Sequence, residues 1–344
     1  LLIMKLQSGY AFTLLLLLAG CGGGSGDSSE STTKFSLAIS DAPVDGAQKV
    51  CIAVNSLRLK QEGVSAETTW SHLDLLQTTS DDGCLPTGYS IPVDSNGDPE
   101  FLYLDLLKYQ DGEKHVLLSN ATIASGTYEQ LRLMVEDGRT NSLDGSPAHP
   151  TSYVKENDGT DKALEVPSSE LKLHSFTAPI SGVLDYQLEF NLRHAMVLPG
   201  HEMYYKLKPN GVKLLDVEVL STIQGSVNSS YCSGNLTGAG VYLYNSDNIT
   251  PPYLGIDYDT ALGGPVLTSL VTTTGGLSSY QINYVEPGTY DVVLVCNAAG
   301  DAITENGNEN SFDPDEADVI EGVQAPSSAG SSSITVDFQT PPPI

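Results

Sequence analysis

Five cysteines carry the best-defined chemistry in this 344-residue sequence, because thiols form disulfides, bind metals, act as nucleophiles or accept lipid. Cys51 and Cys84 lie in the N-terminal half, and Cys232 and Cys296 lie in the C-terminal half. None has a second cysteine or a histidine at the spacing of a zinc site. An even number of thiols in each half favours one disulfide per half in an oxidising compartment, so we predict Cys51–Cys84 and Cys232–Cys296.

The fifth thiol, Cys21, ends the sequence Leu18-Ala19-Gly20-Cys21, which closes an apolar run from Ala11 to Ala19. A membrane-spanning helix takes about 20 apolar residues, so this shorter run with small residues after it is typical of a cleaved signal peptide. Cysteine occupies the position that lipoprotein signal peptidase requires. We therefore predict removal of residues 1–20, lipidation of Cys21, and a flexible tether over residues 21–33. An ordinary signal peptide that contains a cysteine is the alternative.

The residue after Cys21 bears on location. It is Gly22 rather than aspartate, so the sequence carries no signal for retention in the inner membrane. In a Gram-negative cell this predicts a lipid anchor in the outer membrane, on its periplasmic or extracellular face. One acyl chain binds a membrane only marginally, whereas several anchor a protein firmly.

Two loops rich in oxygen side chains are candidate sites for a hard cation, calcium. In the first loop, Asp94, Asn96 and Asp98 occupy alternate positions, as at the start of an EF-hand loop. The sixth position is Pro99 where an EF-hand has glycine, which is a clear departure. Two solvated turns are the alternative interpretation, and no other cofactor is predicted. The candidate ligands of the second loop are Asp313, Asp315 and Asp318.

No residue pattern in the sequence marks an enzyme. The 6 histidines fall in no H-E-x-x-H or related spacing, and no G-x-S-x-G sequence marks a hydrolase nucleophile. The formal net charge is -27, from 43 acidic against 16 basic residues, so the basic footprint of a nucleic-acid-binding protein is absent from the sequence. Such acidity indicates a solvated surface that faces salt or divalent cations.

The elements that must position these residues are strands. Short alternating runs rich in Val, Leu, Tyr and Thr recur between Gly, Pro, Asn and Asp, which predicts an all-β fold of two antiparallel β-sandwich-like domains. We place the domains at residues 34–219 and 222–340. A strand from Lys49 to Lys60 changes phase between Val54 and Leu57, which predicts a bulge.

Three further predictions concern the N-terminal domain. Trp70, the single tryptophan, is expected in the core. Residues 77–100 are polar and rich in turn formers, and they predict an inserted loop that contains Cys84. Residues 137–162 are also expected to form a loop.

Several motifs of the N-terminal domain are collinear with those of a known family. On these motifs, from about residue 34 to 217, the chain resembles a bacterial lipoprotein family described only as domain of unknown function 4382. The motifs are structural rather than catalytic, so the resemblance implies a location and a fold. The matching motifs are Ser40-Asp41-Ala42-Pro43-Val44-Asp45, Leu104-Asp105-Leu106-Leu107, Gln110-Asp111-Gly112, Gly126-Thr127-Tyr128-Glu129-Gln130-Leu131-Arg132-Leu133, Leu171-Lys172-Leu173 and Tyr205-Lys206-Leu207-Lys208-Pro209.

The C-terminal domain carries a second recognisable pattern. A threonine-rich strand reaches Gly275 and Tyr280, and a Pro287-Gly288 turn precedes Tyr290 and an alternating strand. This order resembles the transthyretin-like, carboxypeptidase-regulatory β-sandwich. The resemblance implies a module that packs beside other domains or binds ligands and rarely catalyses a reaction.

Together these features predict a lipid-anchored cell-surface protein that acts as a non-enzymatic binding or structural module. The predicted partners are the membrane, through the lipid anchor, and an unknown surface protein or glycan, but no nucleic acid. The alternative is a surface hydrolase or carbohydrate-active enzyme. An acidic sequence with 17 Tyr against 7 Phe supports that alternative, which requires two carboxylates at glycosidase separation in a cleft.

The lipid anchor gives the first testable prediction. Replacing Cys21 (Cys21→Ala) should abolish incorporation of a palmitate analogue, because the variant has no thiol to acylate at the cleavage point. Metabolic labelling followed by gel electrophoresis measures this directly. Label retained by the variant at the wild-type level would contradict the assignment of Cys21.

Overall fold

Apolar residues at alternate positions define the strands, because successive side chains of a strand point to opposite faces of its sheet. In the first strand, Phe35, Leu37 and Ile39 are fully buried and face the core. The strands of the N-terminal part are β1 Thr32–Ala42, β2 Ala47–Gln61, β3 Thr68–Ser71, β4 Leu102–Asp105, β5 His115–Ala124, β6 Gly126–Val135, β7 Ser142–Leu143, β8 His149–Pro150, β9 Tyr153–Glu156, β10 Asp161–Glu165, β11 Glu170–Leu173, β12 Phe176–Ala178, β13 Val183–Asn191, β14 Met196–Val197, β15 Tyr204–Leu207 and β16 Val212–Asp216.

The C-terminal part is also built from strands. They are β17 Ser221–Val227, β18 Gly240–Asn245, β19 Leu267–Leu270, β20 Thr272–Thr274, β21 Leu277–Val285, β22 Gly288–Val295, β23 Glu316–Ala325 and β24 Ser332–Thr335. One helical turn, α1, covers Leu192–Ala195. Short 3-10 turns occur at Leu106–Lys108, Pro167–Ser169, Pro209–Gly211, Val217–Val219, Cys232–Gly234 and Ala298–Gly300.

A computed structural model gives these elements, and it describes ten segments of the chain. All of them belong to one compact unit. The predicted signal peptide, Cys21 and the tether up to residue 30 lie outside the described residues and stay predictions. In the described part of the chain, no helix is long and apolar enough to cross a membrane. The segments are 31–42, 47–75, 80–110, 112–144, 147–200, 203–247, 253–255, 264–301, 312–327 and 332–339.

The N-terminal part is a sandwich of two sheets. Sheet I has the strand order β16–β13–β1–β5. Sheet II runs β11–β6–β2–β9–β10–β15–β14, with β12 paired to β6 and both β3 and β4 paired to β2. One apolar cluster joins the inner faces, with Leu37 and Phe190 from sheet I against Ile52 and Leu133 from sheet II. The core therefore lies between the two sheets.

The C-terminal part is a second, smaller sandwich. Sheet III has the order β20–β21–β17–β24, and sheet IV has the order β19–β18–β22–β23. Their shared core contains Ile223 and Tyr280 from sheet III and Val241 and Val292 from sheet IV. No described strand of one part joins a sheet of the other. The all-β, sandwich-like fold is as predicted, whereas the domain limits at 34–219 and 222–340 and the transthyretin-like assignment stay predictions.

Strand direction departs from the purely antiparallel prediction. β1 pairs with β13 in parallel, and the pairs β10–β15 and β17–β24 are also parallel. A parallel pair needs a crossover connection, and the chain between β1 and β13 builds nearly all of sheet II before it returns. Alternation of apolar residues does not indicate the partner of a strand, so the sequence could not show this.

Of the predictions about individual elements of the N-terminal part, one is confirmed and two are wrong. The expected bulge is present, because the register of β2 against β6 shifts between Val54 and Ser56. The prediction of a loop over residues 137–162 is wrong: β7, β8 and β9 lie there, and β10 begins at Asp161. Tyr153 and Val154 are buried between β2 and β10. Trp70 is only half-buried at the margin of the core, so its assignment to the core is also wrong.

Disulfides close one long loop in each part. Cys51 on β2 bonds Cys84, which fixes the loop over residues 80–101 against the outer face of sheet II. Cys232 bonds Cys296, just beyond β22. The sequence separations are 33 and 64 residues, for which chain entropy gives about 4 kcal/mol of stabilisation each. Both pairs are those predicted.

Candidate functional site

An open groove lies on the C-terminal sandwich, where the chain passes from β19 in sheet IV to β20 in sheet III. Its volume is about 480 Å³, within the range of about 300–1,000 Å³ that ligand pockets occupy. β17, β19, β20, β21 and β24 all contribute to it. We call it the uncharged groove, and its lining residues are Gln224, Gly225, Ser226, Ser269, Leu270, Thr272, Ser279, Tyr280, Gln281 and Thr335.

Strand register places these side chains side by side. Gln224 on β17 lies opposite Gln281 on β21, and Ser226 lies opposite Ser279. Thr335 on β24 pairs with Gln224 from the other side. Since alternate residues of a strand share one face, the register forms a patch of amide and hydroxyl groups. Amides and hydroxyls both donate and accept hydrogen bonds, so the patch can match a ligand rich in hydroxyl groups.

A single glycine is required for this arrangement. A Cβ atom on Gly225 would lie 1.8 Å from the carbonyl oxygen of Val336, so any side chain there would push the last strand away. The Tyr280 hydroxyl donates to the same oxygen at 2.7 Å. These contacts hold the floor of the groove rigid.

The electrostatics of the groove are unusual for this protein. None of its described lining residues carries a charge, although the chain has a formal net charge of -27. A carboxylate lies beside it, where Asp337 accepts from the backbone N–H of Ser226 at 2.7 Å and from its hydroxyl at 2.8 Å. These hydrogen bonds lower the pKa of Asp337. The described lining of the groove is therefore polar and uncharged.

A second polar site lies between the two sandwiches. The outer face of sheet I is covered by residues of the C-terminal part, and a cavity of about 130 Å³ is enclosed between them. We call this contact the junction, and the side chains and backbone that line the cavity are Glu189, Lys213, Leu215, Asn245, Val266, Leu267, Tyr284, Glu286 and Tyr290. Several polar bonds cross it, among them a bond from Asn191 Nδ2 to Val266 O at 3.2 Å and the pair of Lys213 Nζ and Glu286 Oε2 at 2.7 Å.

Glu189 is a buried acid at the junction with a strongly raised pKa. It is 4% exposed, and it accepts a hydrogen bond from the Ser40 hydroxyl on the neighbouring strand β1. Burial raises the pKa of Glu189 to about 8, although the Ser40 hydrogen bond and the charge of Lys213 act in the opposite direction. Asp41, the next residue of β1, is also buried, and burial raises the pKa of that carboxyl well above its usual value. At neutral pH the junction therefore holds Glu189 as a neutral acid.

Two further residues of the junction are in costly states. Gln187 is fully buried, and neither polar atom of its amide has regular hydrogen-bond geometry with any group that the structure describes. Tyr284 has a φ of 58°, a left-handed conformation that side chains rarely adopt. Its hydroxyl donates to Gly112 O at 3.3 Å and lies close to Gln187 and Ser40. Such a conformation persists only where the surroundings enforce it.

The candidate calcium ligands do not meet in one place. Asp94 closes its own turn by accepting from the backbone N–H groups of Asn96 at 2.7 Å and Asp98 at 3.0 Å. Asp318 lies on β23 and accepts from the Tyr231 hydroxyl at 2.5 Å. Among the described residues, no three His, Cys, Asp or Glu side chains converge as metal ligands would. Calcium binding stays a prediction. The remaining candidates are Asp313 and Asp315, whose backbone groups hydrogen-bond to Asn297.

Comparison with protein families identifies the N-terminal sandwich. Residues 32–209 match the model of a domain of unknown function, DUF4382. The chain belongs to the DUF4382 family. The match agrees with the resemblance drawn from the motifs, and it covers sheet II and most of sheet I. The uncharged groove lies outside the DUF4382 region, and the junction lies at its border. No curated protein matches this chain.

Three proteins of Bacteroides are among the solved structures that this chain matches. A candidate cell adhesion protein from Bacteroides fragilis NCTC 9343 is 9% identical, with a TM-score of 0.21, over 91% of this chain and 95% of that one. A candidate adhesin from Bacteroides ovatus ATCC 8483 is 10% identical, with a TM-score of 0.20, over 95% and 100%. A candidate polysaccharide-binding protein from Bacteroides thetaiotaomicron VPI-5482 is 9% identical, with a TM-score of 0.21, over 89% and 92%. Similarity this low supports no conclusion about this chain.

Neither site was predicted from the sequence. Glu189 and Gln187 alternate with buried Leu188 and Phe190, which is the pattern of an ordinary strand with one wet face. The groove residues are serine, threonine and glutamine, which occur on many exposed strands. The signal that could have indicated the groove is a lack of charge: from Thr268 to Tyr284 the sequence contains no charged residue, in a strongly acidic chain.

Glu189 gives a prediction about stability and pH. The unfolded chain releases this proton near the ordinary value of 4.5, whereas the folded chain keeps it up to about 8. Between these values the folded state binds more protons, so its free energy of unfolding falls as the pH rises. Replacing Glu189 with an amide (Glu189→Gln) should remove this loss and stabilise the protein by about 2–4 kcal/mol above pH 8 relative to pH 5.

Urea denaturation across this pH range measures the difference between variant and wild type. Glu129→Gln is the matched control, because Glu129 lies on β6 away from the junction with a partly exposed side chain. Its difference from wild type should change little with pH. A Glu189→Gln difference that is equal at both ends of the range would contradict the buried neutral acid.

Proposed function

We propose that this protein is a non-enzymatic binding module of the cell surface, and that the uncharged groove binds a neutral glycan. The observation that carries the proposal is the chemistry of the groove: ten lining residues from five strands, none of them charged, in a chain of net charge -27. A surface that is otherwise acidic repels polyanions, so an acidic polysaccharide is disfavoured.

The shape of the groove also supports a glycan. It is open to solvent and large enough for a few sugar units, and it offers amides from Gln224 and Gln281 with hydroxyls from Ser226, Ser279 and Thr335. Sugar hydroxyls are both donors and acceptors, as these groups are. The rigid floor beneath Gly225 limits the conformational entropy that binding costs.

Attachment to the outer membrane is part of the same proposal. Its support is the lipobox at Cys21 and the glycine-rich tether that follows in the sequence. A tethered module would present the groove to glycans at the cell surface. The flexible tether over residues 21–33 would allow the module to reach those glycans. The partner is then a glycan rather than a nucleic acid.

The binding of neutral polysaccharides tests this proposal. We expect the mature chain to be retarded in native gels that contain dextran, xylan or galactomannan, whichever fits the groove, and not in gels that contain alginate or hyaluronan. The double variant Gln224→Ala/Gln281→Ala should bind at least about tenfold more weakly, because it loses two hydrogen bonds worth about 1 kcal/mol each.

A variant of an exposed glutamine outside the groove, Gln48→Ala, is the control and should bind as the wild type does. Retardation by acidic polysaccharides alone, or equal retardation of the double variant, would contradict the proposed site. Failure of all three neutral polysaccharides to retard the wild type would remove the glycan from the account.

A further inference from the structure

The junction between the two sandwiches has a property that glycan binding does not use. Its central acid, Glu189, is buried by a separate part of the chain rather than by its own core. The neighbouring residues Leu188 and Phe190 face the apolar core of the N-terminal sandwich, whereas Glu189 faces the cavity under the C-terminal sandwich. Its burial therefore lasts only while the two parts stay in contact.

We propose that the junction is a proton-controlled latch, closed while Glu189 is protonated and released when Glu189 ionises. Taking a carboxylate out of water costs several kcal/mol unless a cation and hydrogen bonds compensate it. Separation of the two sandwiches would return Glu189 to water. Ionisation therefore favours the open arrangement.

The contacts of Glu189 provide little compensation for a negative charge. Its hydrogen bond comes from the neutral hydroxyl of Ser40. The cation opposite it on β16 is Lys213, whose Nζ is 2.7 Å from Glu286 Oε2. Glu189 takes part in no ion pair between side chains that the structure describes. The described ion pair at the junction is the one between Lys213 and Glu286.

The carboxyl groups around the junction favour the same response, because a neighbouring negative charge opposes ionisation of Glu189 in the closed state. The phenols there have raised pKa values, so they are neutral over this pH range and contribute no charge. The carboxyl of Asp41 is close enough for the two acids to repel each other when both are ionised. The groups that face Glu189 or its immediate neighbours are Asp41, Glu113, Lys213, Tyr284, Glu286 and Tyr290.

Release would also relieve one unfavourable feature of the closed state. The amide of Gln187, buried without regular hydrogen bonds in the described part of the chain, could bind water. The closed state therefore has little excess stability with which to withstand the ionisation of Glu189.

Limited proteolysis of the full mature chain tests the latch. The segment Val217–Leu220 joins the two sandwiches, and Leu220 is buried while Val217 and Val219 are half-buried, so a broad-specificity protease should cleave it faster in the open arrangement. Dividing the cleavage rate of the wild type by that of Glu189→Gln at the same pH removes the pH dependence of the protease. We expect this ratio to rise at least about tenfold from about pH 6 to about pH 9, as ionisation shifts the population.

Small-angle X-ray scattering of the same samples gives an independent readout. The radius of gyration of the wild type should increase at high pH, while that of Glu189→Gln stays constant. Two controls keep the response specific: Glu129→Gln, on β6 away from the junction, and Asp41→Asn should each retain the pH step. A ratio that does not change with pH, or an equal expansion of Glu189→Gln, would overturn the proposal and assign any opening to general charge repulsion.

Discussion

The structure depends on one strand that serves two interfaces. β13 lies in sheet I between β1 and β16, with Leu188 and Phe190 in the apolar core and Gln187 and Glu189 on the opposite face. Burial of the first pair stabilises the N-terminal sandwich by about 2 kcal/mol or more per side chain. Burial of the second pair is unfavourable unless its polar groups find partners. The C-terminal part thus packs against the polar outer face of sheet I. The buried Glu189 on that face makes the contact sensitive to pH.

The fold was predictable where local pattern decides it. The alternation of Phe35, Leu37 and Ile39 indicated β1, and a change of phase indicated the bulge in β2. The two disulfides followed from compartment and the even distribution of thiols, because one pair per half leaves a single solution. The strand and the bulge depend on residues that are close in sequence. The disulfides follow from the number of cysteines in each half.

What could not be predicted depends on distant partners. The parallel pairing of β1 with β13 joins residues about 150 positions apart, and no alternation records it. The short strands β9 and β10 lie among Asp, Gly and Asn residues, and they are ordered by their neighbours β2 and β15 rather than by their own propensity. Glu189 looks like a solvated residue in the sequence, and only the covering of sheet I by the C-terminal part gives it another role.

The two polar sites differ in their exposure to water. The uncharged groove is open and rigid, with amides and hydroxyls that can exchange water for sugar hydroxyls at little electrostatic cost. The junction is closed, and it buries a carboxyl group beside a small polar cavity. A neutral ligand should therefore bind with weak dependence on salt and pH, whereas the relative arrangement of the two sandwiches should depend on pH.

The protonation state of Glu189 is the central claim of this account, and nuclear magnetic resonance measures it directly. Glutamate labelled with carbon-13 at the side-chain carboxyl gives one resonance per residue, and the resonance missing from Glu189→Gln identifies Glu189. The account predicts that this resonance titrates with a pKa near 8 and has the shift of a neutral acid at pH 7. A titration midpoint near the ordinary value of 4.5 would contradict it.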